Sequence, residues 1–311
     1  MLRNALLYLS NQPKVFKFVR TNSLARGFAS RFVAGETLDT AIKAVRELNA
    51  KGITASLDLL GESVFNAAEA RATGKAYLDI LDRIHRERLD ANVSVKLTAL
   101  GQDVSEALGL EVTREVLERA KQYDTFVRLD MEGSAYTQKT LDTFERDLYP
   151  DFPKNVGVVL QSYLYRTKDD VAHMNALAAR VRLCKGAYKE PPEVAFPDKK
   201  DVDANYVTCM HILLEQGNYP GLATHDEQII VEAKRFVQER GISRDRFEFQ
   251  MLYGVRRDLQ DKLVRDGYRL RVYVPFGTQW YPYLMRRLAE RPANVAFMTG
   301  NIIKELVSKR G

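Results

Sequence analysis

The segment WYPYLMRRLAERP, residues 280–292, carries a phenol, two adjacent guanidiniums and a carboxylate. In a helix Tyr283, Arg286, Arg287 and Glu290 stand at i, i+3, i+4 and i+7 and share one face. Two chemistries fit such a stripe. One is a solvated surface held by Arg–Glu pairs. The other is a clamp for a small carboxylate, because planar guanidinium forks match a carboxylate's two oxygens.

Polar groups of catalytic type also follow short apolar runs along the chain. They are Lys96, Asp130, Gln161, Arg182 with Lys185, Thr224 with His225, Gln250 and Tyr273. The runs are ITASLDLL (53–60), NVSVKLTAL (92–100), TFVRLDMEG (125–133), NVGVVLQSY (155–163), RVRLCKGAY (180–188), GLATHD (221–226), FEFQMLYG (247–254) and RLRVYVPFG (269–277). Their apolar centres read as buried parallel strands, and segments of helical periodicity such as QIIVEAKRFVQERG separate them. Eight such β/α units predict an α/β fold, a (β/α)8 barrel, with a doubly wound open sheet as the alternative. In a barrel all these strand ends meet on one rim. Burying each unpaired would cost roughly 1–3 kcal/mol. A polar ligand on the rim offsets that cost.

Several chemistries are not indicated. The histidines His85, His173, His211 and His225 are scattered without metal-ligand spacing. There is no Walker loop, dinucleotide fingerprint or serine elbow. Cys184 is read as facing away from a site that Arg182 and Lys185 face, and the two cysteines are too few for a disulfide framework. Two roles stay open for the strand-end lysines. An imine-forming lysine is one. A purely electrostatic cation is the other, and Lys185-Gly186-Ala187 would suit a phosphate or pyrophosphate, as of a bound flavin dinucleotide.

Charge is uneven. The first 35 residues carry six of the 47 basic side chains and none of the 41 acidic ones, so the rest of the chain is formally neutral. Residues 1–35 are therefore expected to form a basic helical arm and residues 36–311 the catalytic barrel. A basic amphipathic arm suits an anionic membrane surface. With a neutral body and no basic stripe interleaved with aromatics, nucleic acid is not an expected partner. No apolar run approaches the length of a membrane span. The expected location is the cytoplasm, peripheral at the inner face of the cell membrane.

The motifs RFVAGET (31–37), SVKLTALG (94–101), RLDMEG (128–133), VVLQSYLYRT (158–167), RLCKGAY (182–188), ATHD (223–226), FEFQMLYG (247–254) and VYVPFGTQWYPYLMRRLAERP (272–292) resemble, in order and spacing, the proline dehydrogenases of the monofunctional bacterial type. The resemblance implies a distorted (β/α)8 barrel with extra N-terminal helices and non-covalent FAD. It implies oxidation of L-proline to 1-pyrroline-5-carboxylate, with hydride passing to the flavin and electrons onward to a membrane quinone.

Site roles follow from the same resemblance. Asp130 and Arg182 are the catalytic positions, Arg182 also beside the flavin. Lys96, Arg286 and Arg287 hold the proline carboxylate. Tyr273, Tyr283 and Leu252 wall the ring, and Glu290 pairs with the clamp. Met131, Gln161, Lys185, Gly186, Ala187, Thr224 and His225 contact FAD. No metal is implied. Lys189 stands where long bifunctional relatives have an aromatic, which removes a stacking surface. The chain ends soon after the barrel, so the product is expected to pass to a separate pyrroline-5-carboxylate dehydrogenase.

Overall fold

The structure is a computed structural model that describes residues 27, 29–61 and 64–290, and of 286–290 the backbone alone. Of the arm expected over 1–35, residues 1–26 and 28 lie outside the described residues. The helix α1 (Leu38–Asn49) leads into the first strand and is opened by a capping box between Thr37 and Thr40. Then follow β1 (Thr54–Leu59), α2 (Ala67–Arg86), β2 (Ala91–Val95), α3 (Glu106–Gln122), β3 (Val127–Leu129) and α4 (Ser134–Asp142). The second half is β4 (Val156–Gln161), α5 (Thr167–Ala176), β5 (Arg180–Cys184), α6 (Lys199–Gln216), β6 (Gly221–Ala223), α7 (Glu227–Glu239), β7 (Glu248–Leu252), α8 (Arg257–Arg265), β8 (Leu270–Phe276) and α9 (Trp280–Glu290). The strands pair in sequence order, all parallel, and β8 pairs with β1. The sheet is thus a closed (β/α)8 barrel, and the open sheet is excluded.

The strands are not continuously apolar, as their sequences suggest. They alternate. Pairing across the barrel puts Ser56, Asn92, Ser94, Arg128, Arg182, Gly221, Glu248, Gln250, Arg271 and Tyr273 on one side. Leu57, Val93, Leu129, Leu183, Phe249 and Val272 fall on the other, against the helices, and are fully or almost fully buried. The polar side is the lumen, because its members bond across it: Arg182 of β5 donates to Ser94 of β2 at 3.1 Å and to Gln250 of β7. Barrel interiors usually hold branched aliphatics. This one holds charges. The same alternation corrects the expectation for Cys184. It stands two residues from Arg182 and so on the same side of β5, while Lys185 lies beyond the strand.

Lumen volume is shared between long side chains and glycines. A Cβ at Gly221 would meet Gln250 Nε2 at 2.4 Å, and one at Gly157 would meet an Arg128 guanidinium nitrogen at 2.7 Å. Neither position admits a side chain while its neighbour crosses the lumen. Beneath the rim, Glu248 accepts from Arg271 Nε at 2.7 Å and from Gln250 Nε2 at 2.6 Å. Burial alone would push the Glu248 carboxyl up. The charge and hydrogen bond of Arg271, with help from Gln250 and Arg128, outweigh it and hold the carboxyl below its usual range. Outside the lumen, Cys209 is buried in α6, and burial pushes its thiol up to about 11, which leaves it inert at neutral pH.

Glu248→Gln should lower unfolding stability at neutral pH by about 3–5 kcal/mol, because it strands buried Arg271 and Arg128. Glu248 titrates lower folded than unfolded. Its contribution is therefore complete above the ordinary glutamate range and lost as pH falls through the depressed value. Chemical denaturation across pH checks this. A gap between wild type and variant that stayed constant down to pH 2–3 would contradict it.

Candidate active site

The site starts where the strands stop. β3 ends at Leu129, and the next amide, that of Asp130, still bonds Val95 O at 2.8 Å, so Asp130 is fixed at the lumen mouth. One Asp130 carboxylate oxygen accepts from an Arg182 terminal nitrogen at 2.7 Å, the other from the Tyr273 hydroxyl at 2.7 Å. Arg182 donates in addition to Gln250 Oε1 and Ser94 Oγ, and its guanidinium lies 5.4 Å from the Tyr273 ring centre. Both partners of the carboxylate are thereby rigid. Burial, then the charges of Asp130 and Asp58, push the Tyr273 phenol well up, so it remains a donor.

Lys96, the residue after β2, reaches Asp58 of β1 at 3.3 Å. Asp58 is 1% exposed. Burial works against the Lys96 charge, but the nearby charges of Asp58 and Asp130 outweigh it and the ammonium is held above its usual range. An imine-forming lysine must be neutral to attack. Lys96 is therefore built as a permanent cation, which disfavours that alternative. Burial pushes Asp58 up, opposed by Lys96. Sequence reasoning missed Asp58. The available signal was its position two residues after Ser56, an S-x-D alternation in an otherwise apolar run.

On the opposite wall, Gln161 closes β4. Its Nε2 donates to the carbonyls of Met131 and Glu132 at 3.4 and 3.3 Å. Carbonyls only accept, so the amide orientation is forced and Oε1 faces away. That oxygen is buried without a partner. Met131 is itself buried. Glu132 also accepts from Thr98 Oγ1 at 2.9 Å. Burial, the dominant influence, raises its carboxyl.

Beyond β5, Lys185 is paired with Asp203 at 2.5 Å and Asp226 at 2.8 Å, so it is not an open cation. Burial pushes Asp226 up, but Lys185 and Lys199 outweigh that and hold it low. Gly186 has φ +110° and lies on the Tyr163 ring; Ala187 is exposed. Thr224 Oγ1 accepts from the Asp226 amide at 3.1 Å. His225 Nε2 accepts from the Leu252 amide at 2.9 Å, which puts the neutral ring's proton on Nδ1 and ties β6 to β7.

The structure thus brings Lys96, Asp130, Arg182 and Tyr273 together: Asp130, Arg182 and Tyr273 are hydrogen-bonded in one group with Ser94 and Gln250, and the Lys96–Asp58 pair acts on it through charge. Gln161 with Met131, and Lys185 with Thr224 and His225, form two further groups on the rim. Leu252 is half-buried, and Tyr283 is buried on α9. Arg286, Arg287 and Glu290 lie on the backbone of α9, but their side chains fall outside the described residues. Among the described residues, no three His, Cys, Asp or Glu side chains gather to hold a metal ion, and no helix is long and apolar enough to cross a membrane.

Residues 41–300 match the family model described as "Proline dehydrogenase". The chain is 44% identical over 305 residues to Proline dehydrogenase 1 of Bacillus subtilis subsp. natto, covering 98% of this chain and 100% of that one. It is 44% identical over 308 residues to Proline dehydrogenase of Deinococcus radiodurans, covering 98% of each. The crystal structure of proline utilization A (PutA) from Bdellovibrio bacteriovorus, inactivated by N-propargylglycine, superposes with a TM-score of 0.81 at 28% identity. That match covers 89% of this chain and 34% of the larger one. The family match and the two full-length relatives agree with the fold: this chain belongs to the proline dehydrogenase family.

Proposed function

We propose that this protein oxidises L-proline to 1-pyrroline-5-carboxylate, with non-covalent FAD as electron acceptor and a membrane quinone taking the electrons onward. The observation that carries the reading is the network at the barrel mouth, Lys96 on Asp58 beside Asp130 held by Arg182 and Tyr273. It offers a fixed cation to a carboxylate and a rigid polar floor to a planar ring.

The residues fit a flavin. The forced amide of Gln161 leaves a buried acceptor that only a donor such as the flavin imide N–H would satisfy. Arg182, Met131, Thr224, His225 and the Lys185-Gly186-Ala187 turn would complete the holding set. Bound FAD would supply the two-electron acceptor.

The chain's own residues would do the rest. Lys96, joined by Arg286 and Arg287 with Glu290 balancing them, would bind the proline carboxylate. Tyr273, Tyr283 and Leu252 would confine the ring, so that one carbon is presented for oxidation; positioning of this kind is a large part of catalysis. The amine must be neutral before its lone pair can form the imine. The cations around it disfavour the ammonium form and so help release that proton. Asp130, with both oxygens committed, would hold Arg182 and Tyr273 in place. The product would leave for a separate pyrroline-5-carboxylate dehydrogenase. Residues 1–35 would form an arm that docks the barrel, residues 36–311, at an anionic membrane on its cytoplasmic side.

The purified protein should be yellow and should bleach on anaerobic L-proline. A colourless protein that takes up no FAD would overturn the reading. Arg287→Met should raise the KM for proline about tenfold to a hundredfold, the loss of a charge-assisted pair, at unchanged flavin content. An unaltered KM would remove Arg287 from the clamp. Deleting residues 1–20 should abolish salt-sensitive binding to anionic vesicles while leaving proline oxidation by a soluble dye acceptor intact. Binding that persisted would end the proposed role of the arm.

A further inference from the structure

Arg182 makes three side-chain hydrogen bonds, each to a different strand. Two of the acceptors, the carboxylate of Asp130 and the hydroxyl of Ser94, can accept in any orientation. The third, Gln250, cannot. Its amide has two orientations of nearly equal shape. Only one turns Oε1 toward Arg182 Nε, and the other sets an NH2 against a guanidinium. Something must choose between them.

The choice is made one layer deeper. Gln250 Nε2 donates to Glu248 Oε1 at 2.6 Å, and an ionised carboxylate accepts only. Glu248 stands two residues before Gln250 on β7, on the same lumen side, and is 4% exposed. It is itself held by Arg271 Nε at 2.7 Å and by the Tyr219 hydroxyl at 3.2 Å. Arg271 is anchored in turn on Ala55 O at 2.8 Å. Gly221 leaves the space that the Gln250 amide fills. Arg182 donates to Gln250, Gln250 donates to Glu248, and Glu248 accepts as well from Arg271, which is fixed by its second donation to Ala55 O. Reversing the Gln250 amide would break two contacts at once.

We infer that Glu248 is a positioning residue for Arg182, acting through the forced orientation of the Gln250 amide. It touches neither substrate nor cofactor in this scheme. The inference rests on the reading of Arg182 as a flavin contact. Loss of the device would free one edge of the guanidinium and let its plane rotate away from Asp130. Flavin affinity and turnover would then fall together.

The test separates this role from mere charge balance. Replacing both members of a buried ion pair by apolar residues of similar volume is often neutral for stability. Glu248→Met/Arg271→Met therefore removes the orienting carboxylate together with Arg271, the guanidinium hydrogen-bonded to it, and leaves only the more distant Arg128 without its counter-charge. Gln250→Met removes the amide, and the triple variant completes the cycle. Titration of each apoprotein with FAD, read by flavin fluorescence, gives a signal independent of turnover. The Kd for FAD should rise about tenfold in Gln250→Met and in the double variant. The triple variant should be no worse than Gln250→Met. kcat should follow the same pattern, with the KM for proline changed less than about twofold. Should the double variant not fold, Glu248→Gln, which weakens but does not abolish the orienting acceptor, should show a smaller rise and the same non-additivity with Gln250→Met.

A double variant with wild-type Kd and kcat overturns the inference, as do effects that add in the triple variant. Wild-type apoprotein that binds no FAD overturns the site reading instead, and the inference with it.

Discussion

Everything at the mouth of this barrel depends on charges buried along its axis. A guanidinium in a lumen is costly unless hydrogen-bond acceptors and a carboxylate compensate it. Arg182 places one N–H from each of its three nitrogens on Asp130, Ser94 and Gln250, with Asp130 as the neutralising carboxylate. Ser94 sits on β2, Asp130 just past the end of β3 and Gln250 on β7, so the bonds tie these three to β5 around one side chain. Stability and site geometry are therefore one problem here. A barrel filled with valine and leucine would close as well, but it would present no oriented donors at its end.

The deeper layer shows the same logic with less balance. Arg128 donates to the carbonyls of Val158 and Arg180 at 3.0 and 2.6 Å, while its Nε is buried without a partner. Burial and the charge of Arg182 both work against the Arg128 charge. Glu248 is the carboxylate that answers it and Arg271 together. One acid serving two guanidiniums, and orienting an amide besides, makes Glu248 a position where fold and site are coupled.

Much of this was legible in the sequence. Eight short runs, seven of them carrying a polar group at the end, point to a closed barrel, because closure lets all those ends share a rim. Lys96, Asp130, Arg182 and Tyr273 were each visible as a polar residue at the end of an apolar run. The lumen layer was less visible. Ser56, Arg128, Glu248 and Arg271 interrupt their strands singly, and a lone polar residue inside an apolar window looks like noise until the register aligns it with others. Asp58 was missed for the same reason. Partners across a lumen are separated by dozens of residues or more, and local spacing carries no trace of them. The pairing of Lys185 with Asp203 and Asp226 was hidden likewise, since it joins a strand end to two later helices.

That pairing bears on how the rim would receive an anion. A lysine already satisfied by two carboxylates has little field to spare. An incoming phosphate would have to compete with Asp203 and Asp226 or draw on Lys199, which forms the outer edge of the same cluster. Both aspartates come from helices that follow the strands, so an anion that displaced one would loosen the start of α6 or α7. Lys96 is arranged differently. Among the described residues its carboxylate partner, Asp58, lies beneath it in the lumen, at the long separation of 3.3 Å. The ammonium's remaining donors are left for the mouth. Of the two strand-end lysines, Lys96 is thus the better placed to meet a small carboxylate. Lys185 is better placed to tie the β5 end to the helices around it.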